Sequence, residues 1–251
     1  MSPVYRATVM RAKRALLARC RLSHRDAMQR YQSPMIALAV CLAALAGFVD
    51  ALAYSSLGGF FASFMSGNTT RLGVAFATAR YDEVRMAGAL ILSFVSGVMI
   101  ATVIARRWPQ RQQVAVMTMV TLLLGVAATL MRFYPGSQAL LLLAAAMGTE
   151  NGLFTREGEV SIGLTYMTGS LVKMAQRLAG ALMGDADRWT WIRYLLLWLG
   201  FLLGVVTGAR CYGAFGNGSL WLATGGAGVL TIVVATIAGR GEQTGPWGPR
   251  A

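Results

Sequence analysis

Asp50, Asn68, Thr69 and Arg71 lie within one apolar stretch of this chain, and Glu150, Asn151, Ser170 and Lys173 lie within another about a hundred residues later. Each set offers a carboxyl, an amide or hydroxyl, and a cation. Together these are the ingredients of a polar binding site. The carboxyl exchanges a proton or a cation, the amides and hydroxyls hydrogen-bond a solute, and the cation orients the solute or neutralises the acid. Charges inside apolar segments are costly and by default mark function. The alternative use is structural, with each acid–base pair pinning one helix to its neighbour and binding nothing.

The local sequence places these groups at matching depths. If the first stretch is a hairpin turning at Gly58-Gly59, Asp50 lies eight residues before the turn, Asn68 nine after it and Arg71 twelve after it. At about 1.5 Å of rise per residue these depths agree within about one helical turn, so an Asp50–Arg71 pair is expected. The same reasoning pairs Glu150 with Lys173. Gly67 and Gly169 then serve close helix approach or a break in the helix.

The elements that must hold these residues are membrane helices. Of 251 residues, 56% are hydrophobic and only 13% charged, against about 25% charged in soluble domains. Several continuous apolar runs reach the length of about 20 residues that spans a bilayer. Their continuity argues against a β-barrel, whose strands alternate. Six firm spans are expected at 35–57, 86–105, 114–133, 138–155, 192–212 and 219–238. Two further segments, 60–79 and 163–183, are polar. They are expected either to span while sheltered by neighbours or to dip in and return. The fold class is therefore all-α and membrane-embedded, in two related halves. Residues 34–137 form the first repeat and 138–239 the second. Phe94 and Gly97, and later Phe201 and Gly204, extend the repeat beyond the polar motifs. In such duplicated bundles the interface between the halves is the natural place for a cavity.

The net charge is +13, and lysine occurs only at Lys13 and Lys173. The arginines read as positive-inside bias rather than a nucleic-acid surface. Residues 1–33 form a basic cytoplasmic tail, either an interfacial helix on an anionic leaflet or a disordered segment that fixes orientation. A six-span count with the N-terminus inside leaves Arg71, Arg80, Arg85, Arg132 and Arg210 outside and the rest inside. An eight-span count would move Arg106, Arg107 and Arg111 outside, against the rule. Residues 240–251 are Gly/Pro-rich and expected to be disordered.

Enzyme signatures are missing. The single histidine, His24, is in the basic tail, and Cys20, Cys41 and Cys211 are scattered. No catalytic residue, metal site or cofactor is expected. Gly200, Gly204 and Gly208 form a stripe spaced by four. Such stripes serve helix packing within the bundle, with a homodimer interface as the alternative.

The motifs resemble the YoaK family of bacterial membrane proteins of unknown function over residues 35–238. Gly47-Phe48-Val49-Asp50-Ala51, Leu57-Gly58-Gly59 and Phe64-Met65-Ser66-Gly67-Asn68-Thr69 match one signature. Ala146-Met147-Gly148, Asn151, Arg156 and Thr165-Tyr166-Met167-Thr168-Gly169 match the other. A glutamine usual before the asparagine is Glu150 here. The resemblance implies a multi-pass inner-membrane protein and supplies no established substrate. From the residues, the expected function is a permease for a small polar or anionic solute, proton-coupled through Asp50 or Glu150. The alternative is a non-transporting scaffold or regulatory protein. The expected partners are the lipid bilayer and such a solute, with no nucleic acid.

Overall fold

The structure, a computed structural model, describes residues 33–56, 58–134, 136–156, 159–160, 165–184 and 188–240. The basic segment through residue 32, with Cys20 and His24, lies outside the described residues, as does the tail from residue 241.

Eight α-helices occur among the described residues. They are α1 (Ser33–Ser56), α2 (Met65–Ala77), α3 (Tyr81–Arg107), α4 (Gln112–Phe133), α5 (Ser137–Glu150), α6 (Met167–Leu182), α7 (Thr190–Phe215) and α8 (Ser219–Arg240). Short 3-10 turns extend α5 through Phe154 and join α7 to α8 at Gly216–Gly218. The only extended pairing described is two residues long, Thr155 with Val160 and Arg156 with Glu159. Helices fall where the apolar runs are, and their ends follow local chemistry. Arg106-Arg107-Trp108 closes α3, and Pro109, which lacks an N–H, opens the next turn. Gly216, with φ +55° and ψ −135°, ends α7 in a conformation that side chains oppose.

Four helical stretches are long and apolar enough to cross a membrane: Met35–Ser56, Tyr81–Arg107, Pro109–Phe133 and Thr190–Gly239, the last comprising α7 and α8. The polar helices are shorter. The 13 residues of α2 and the 16 of α6 rise about 20 and 24 Å, against about 30 Å of bilayer hydrocarbon. Along α3, Leu92, Val95, Met99 and Val103 form an exposed apolar stripe. Exposed aromatics mark helix ends: Tyr81, Trp108, Tyr134, Trp189, Phe215 and Trp221. An apolar flank edged by aromatics fits a lipid surface.

Glycines set the closest helix contacts. A Cβ on Gly47 of α1 would lie 2.2 Å from the Phe201 carbonyl of α7, and one on Gly204 would lie 2.0 Å from the Ala44 carbonyl. On the other side of the bundle, a Cβ on Gly148 of α5 would lie 2.1 Å from the Phe94 carbonyl of α3, and one on Gly97 would lie 2.1 Å from the Ala145 carbonyl. Backbones approach this closely only where the side chain is absent. Gly200 and Gly208 also press on α1, at Val40 and Phe48. The 200/204/208 stripe therefore faces inward and packs against α1.

Two apolar clusters fill the bundle. One joins Leu45 and Val49 of α1 with Leu90, Leu124 and Leu143. The other joins Met35 and Leu42 with Ile104, Met117 and Leu197. Polar fasteners are few. Ser93 Oγ donates to the Leu141 carbonyl at 2.5 Å between α3 and α5, and the Thr121 and Thr231 hydroxyls meet at 3.0 Å between α4 and α8.

Candidate functional site

The segment between α1 and α2 is irregular backbone held by side chains. Gly58 (φ +66°) and Gly59 (φ +88°) make the turn. Asn68, fully buried on α2, reaches back to Phe61: its Oδ1 accepts from the Phe61 N–H at 3.1 Å and its Nδ2 donates to the Phe61 carbonyl at 2.7 Å. Asp50, buried on α1, accepts from both the N–H and the Oγ–H of Ser63, each at 2.6 Å. The carboxyl thus sits at the approach to the N-terminus of α2, where N–H groups have no intrahelical partner and an anion is favoured.

Arg71 does not pair with Asp50. Its Nη1 donates to the Gly59 carbonyl at 2.7 Å, its guanidinium stands 4.0 Å from the centre of the Phe60 ring, and Glu83 Oε2 lies 3.6 Å away. Its Nε is buried without a hydrogen bond among the described residues. Residue spacing carries no sign of the Ser63 donors, which meet Asp50 at 2.6 Å.

The second segment runs differently from expectation too. Glu150, at the end of α5, is fully buried, and neither of its oxygens has a hydrogen-bond partner among the described residues. Lys173 stands instead 5.9 Å above the Tyr194 ring. Neither expected ion pair forms, and the ion pairs among the described residues join Glu83 to Arg71 and Arg80, and Asp82 to Arg85. Asn151 takes the role held by Asp50: its side chain meets Thr165 Oγ1 at 3.1 Å, while its Nδ2 also donates to the Met147 carbonyl at 2.8 Å.

Other candidates are spent on backbone contacts. Thr69 is exposed and bonds its own helix at Met65, and Ser170 reaches only the Tyr166 carbonyl at 3.4 Å. Gly67 lies under the Phe64 ring and Gly169 under the Tyr166 ring, where a Cβ would fall 2.5 and 2.3 Å from ring carbons.

A cavity of about 500 Å³ opens beside Asp50. Its wall includes Tyr54, Phe61, Phe64, Thr165, Trp198 and Phe201. Tyr54 and Phe61 rings are 5.3 Å apart, and Phe61 and Phe64 meet edge to face at 5.2 Å. Asn68, Glu150 and Ser170 do not reach this wall. Sequence reasoning missed the aromatic lining. Its signal was the Phe60-Phe61-Ala62-Ser63-Phe64 run before α2, which hydropathy reads as ordinary apolar filler. A second cleft of about 540 Å³, between Cys41, Phe48, Leu203 and Leu222, has no ionisable carboxyl or basic group on its wall. Among the described residues no cluster of His, Cys, Asp or Glu could hold a metal.

Residues 38–233 match the family profile described as protein of unknown function (DUF1275). The chain belongs to the DUF1275 family. It is 32% identical over 219 residues to a UPF0700 transmembrane protein of Rhizobium meliloti (strain 1021), covering 86% of this chain and 92% of that one. It is 26% identical over 174 residues to the UPF0700 transmembrane protein YoaK of Bacillus subtilis (strain 168), covering 66% and 76%. No solved structure matches. With relatives named as transmembrane proteins and several long apolar helices of its own, this DUF1275 member is a bacterial membrane protein.

Proposed function

We propose that this protein is a permease of the bacterial inner membrane, working without chemical catalysis and carrying a small polar solute through the cavity beside Asp50. The observation that carries the reading is that cavity. It is large enough for a small molecule, and a carboxyl from α1 meets at its wall the starts of both polar segments, through Phe64 and through Thr165 and Met167. An anionic solute is the weaker half of the expectation. Asp50 is the ionisable acid on the wall, and no Arg or Lys stands there.

The contacts support six spans and two polar helices in two related halves, 34–137 and 138–239, and the arginine distribution supports a cytoplasmic N-terminus. Gly47 meets Phe201 as Gly148 meets Phe94, Gly67 meets Phe64 as Gly169 meets Tyr166, and Asp50 meets Ser63 as Asn151 meets Thr165. In this register the counterpart of Asp50 is Asn151, and Glu150 belongs to the second half alone. A buried carboxyl without a partner is expensive when ionised. Glu150 is therefore assigned to proton exchange coupled to solute movement.

Reconstituted vesicles with a trapped pH-sensitive dye test this. Across a panel of amines, polyols, amino acids and carboxylates, the wild type should move protons with at least one solute, and Glu150→Gln should reduce that flux at least tenfold. Unchanged proton flux in Glu150→Gln removes this residue from the coupling.

The scaffold reading also draws on a specific observation. Asn68, Asp50 and Arg71 together lock the 58–64 segment, as a purely structural motif would. Solute-independent behaviour across the whole panel favours it.

A further inference from the structure

We propose that the cavity beside Asp50 takes a small organic cation, an ammonium group on an aromatic or alkyl body; this rests on the permease reading for its site but not for its test. The wall supplies both halves of such a ligand's recognition. Tyr54, Phe61, Phe64, Trp198 and Phe201 present aromatic rings, and ring faces attract cations, most strongly when water is excluded. Met167 and Leu202 complete an apolar surface suited to the body of the ligand.

Asp50 supplies the charge. Each carboxylate oxygen accepts one hydrogen bond from Ser63, and a carboxylate has about four acceptor positions in all. The Ser63 bonds fix the carboxyl at the cavity wall, where its charge acts on a cation through a low-dielectric interior. The cations that would repel such a ligand are directed elsewhere. Arg71 is turned to Gly59, Phe60 and Glu83, and Lys173 stands over Tyr194. An anion of the same size would meet the carboxyl and the electron-rich ring faces with no compensating cation on the wall.

The experiment measures binding to the purified full chain in lipid nanodiscs, using benzyltrimethylammonium, its neutral isostere neopentylbenzene and the anion phenylacetate. The wild type should bind the ammonium at least tenfold more tightly than either of the others. Asp50→Asn, which keeps an acceptor for Ser63, should lose at least tenfold for the ammonium alone. Trp198→Leu should weaken the ammonium threefold or more and leave the neutral isostere within twofold. Equal binding of the anion, no binding of the ammonium, or full retention of ammonium affinity in both variants overturns the proposal. The permease reading fails separately: tight ammonium binding with no flux in vesicles leaves a cation site on a non-transporting protein, and flux of an uncharged solute without ammonium binding leaves a permease of another specificity.

Discussion

Asp50 shows how a buried charge can be satisfied without a counter-ion. Two donors from one residue, Ser63, meet its two oxygens, and charge-assisted hydrogen bonds of this kind are about twice as strong as neutral ones. The sequence placed Asp50 and Arg71 at the same level but carried no sign that the backbone between them would turn inward. What remains legible is that both residues serve one segment, Asp50 from α1 and Arg71 from α2. A double-mutant cycle separates the two accounts. Asp50→Asn and Arg71→Met, followed by thermal or denaturant unfolding, should couple by no more than about 1 kcal/mol, transmitted through the 58–64 segment that both hold rather than by a direct ion pair. A coupling well above that would restore the ion pair. A charge swap of Asp50 with Arg71 should not be tolerated, because an arginine cannot accept from Ser63.

Hydropathy and punctuation put a helix in each expected apolar run, although α3 begins at Tyr81 rather than 86 and α5 ends at Glu150 rather than 155. Continuous apolar runs leave little choice of secondary structure in lipid, where each backbone group must be satisfied locally. The polar segments were less legible. The expected segment 60–79 proves to be irregular to Phe64 and helical only from Met65, because the Asp50 and Asn68 side chains offer the 61–63 backbone partners that a helix would otherwise provide. Glycine spacing revealed that helices approach closely, but not which ones, since α1 with α7 and α5 with α3 are contacts between distant parts of the chain. The prediction at this scale concerns two glycines. Gly204→Val should lower yield and melting temperature sharply, because even a Cβ there falls 2.0 Å from the Ala44 carbonyl. Gly225→Ala has open space around it and should be neutral or stabilising by up to about 1 kcal/mol.

At the scale of the molecule, the first helix of each proposed half packs against the third helix of the other. Neither half then closes its own interface, and the polar residues of both are gathered beside it. Composition alone indicated the membrane. The partner of each polar residue was not legible, because hydrogen bonds to loop backbone depend on where the chain turns and not on residue type. The cavity is the part of the architecture on which the proposed function rests, so its accessibility is the decisive property. Ala51 lies on its wall next to Asp50, whereas Ala46, one turn earlier on α1, is fully buried in the apolar cluster. In a background with Cys20, Cys41 and Cys211 replaced, Ala51→Cys in sealed vesicles should react with a membrane-impermeant cationic methanethiosulfonate, faster than with its anionic analogue, while Ala46→Cys stays unlabelled. If Ala51→Cys is as inert as Ala46→Cys, the cavity is closed to solutes and the permease account is contradicted.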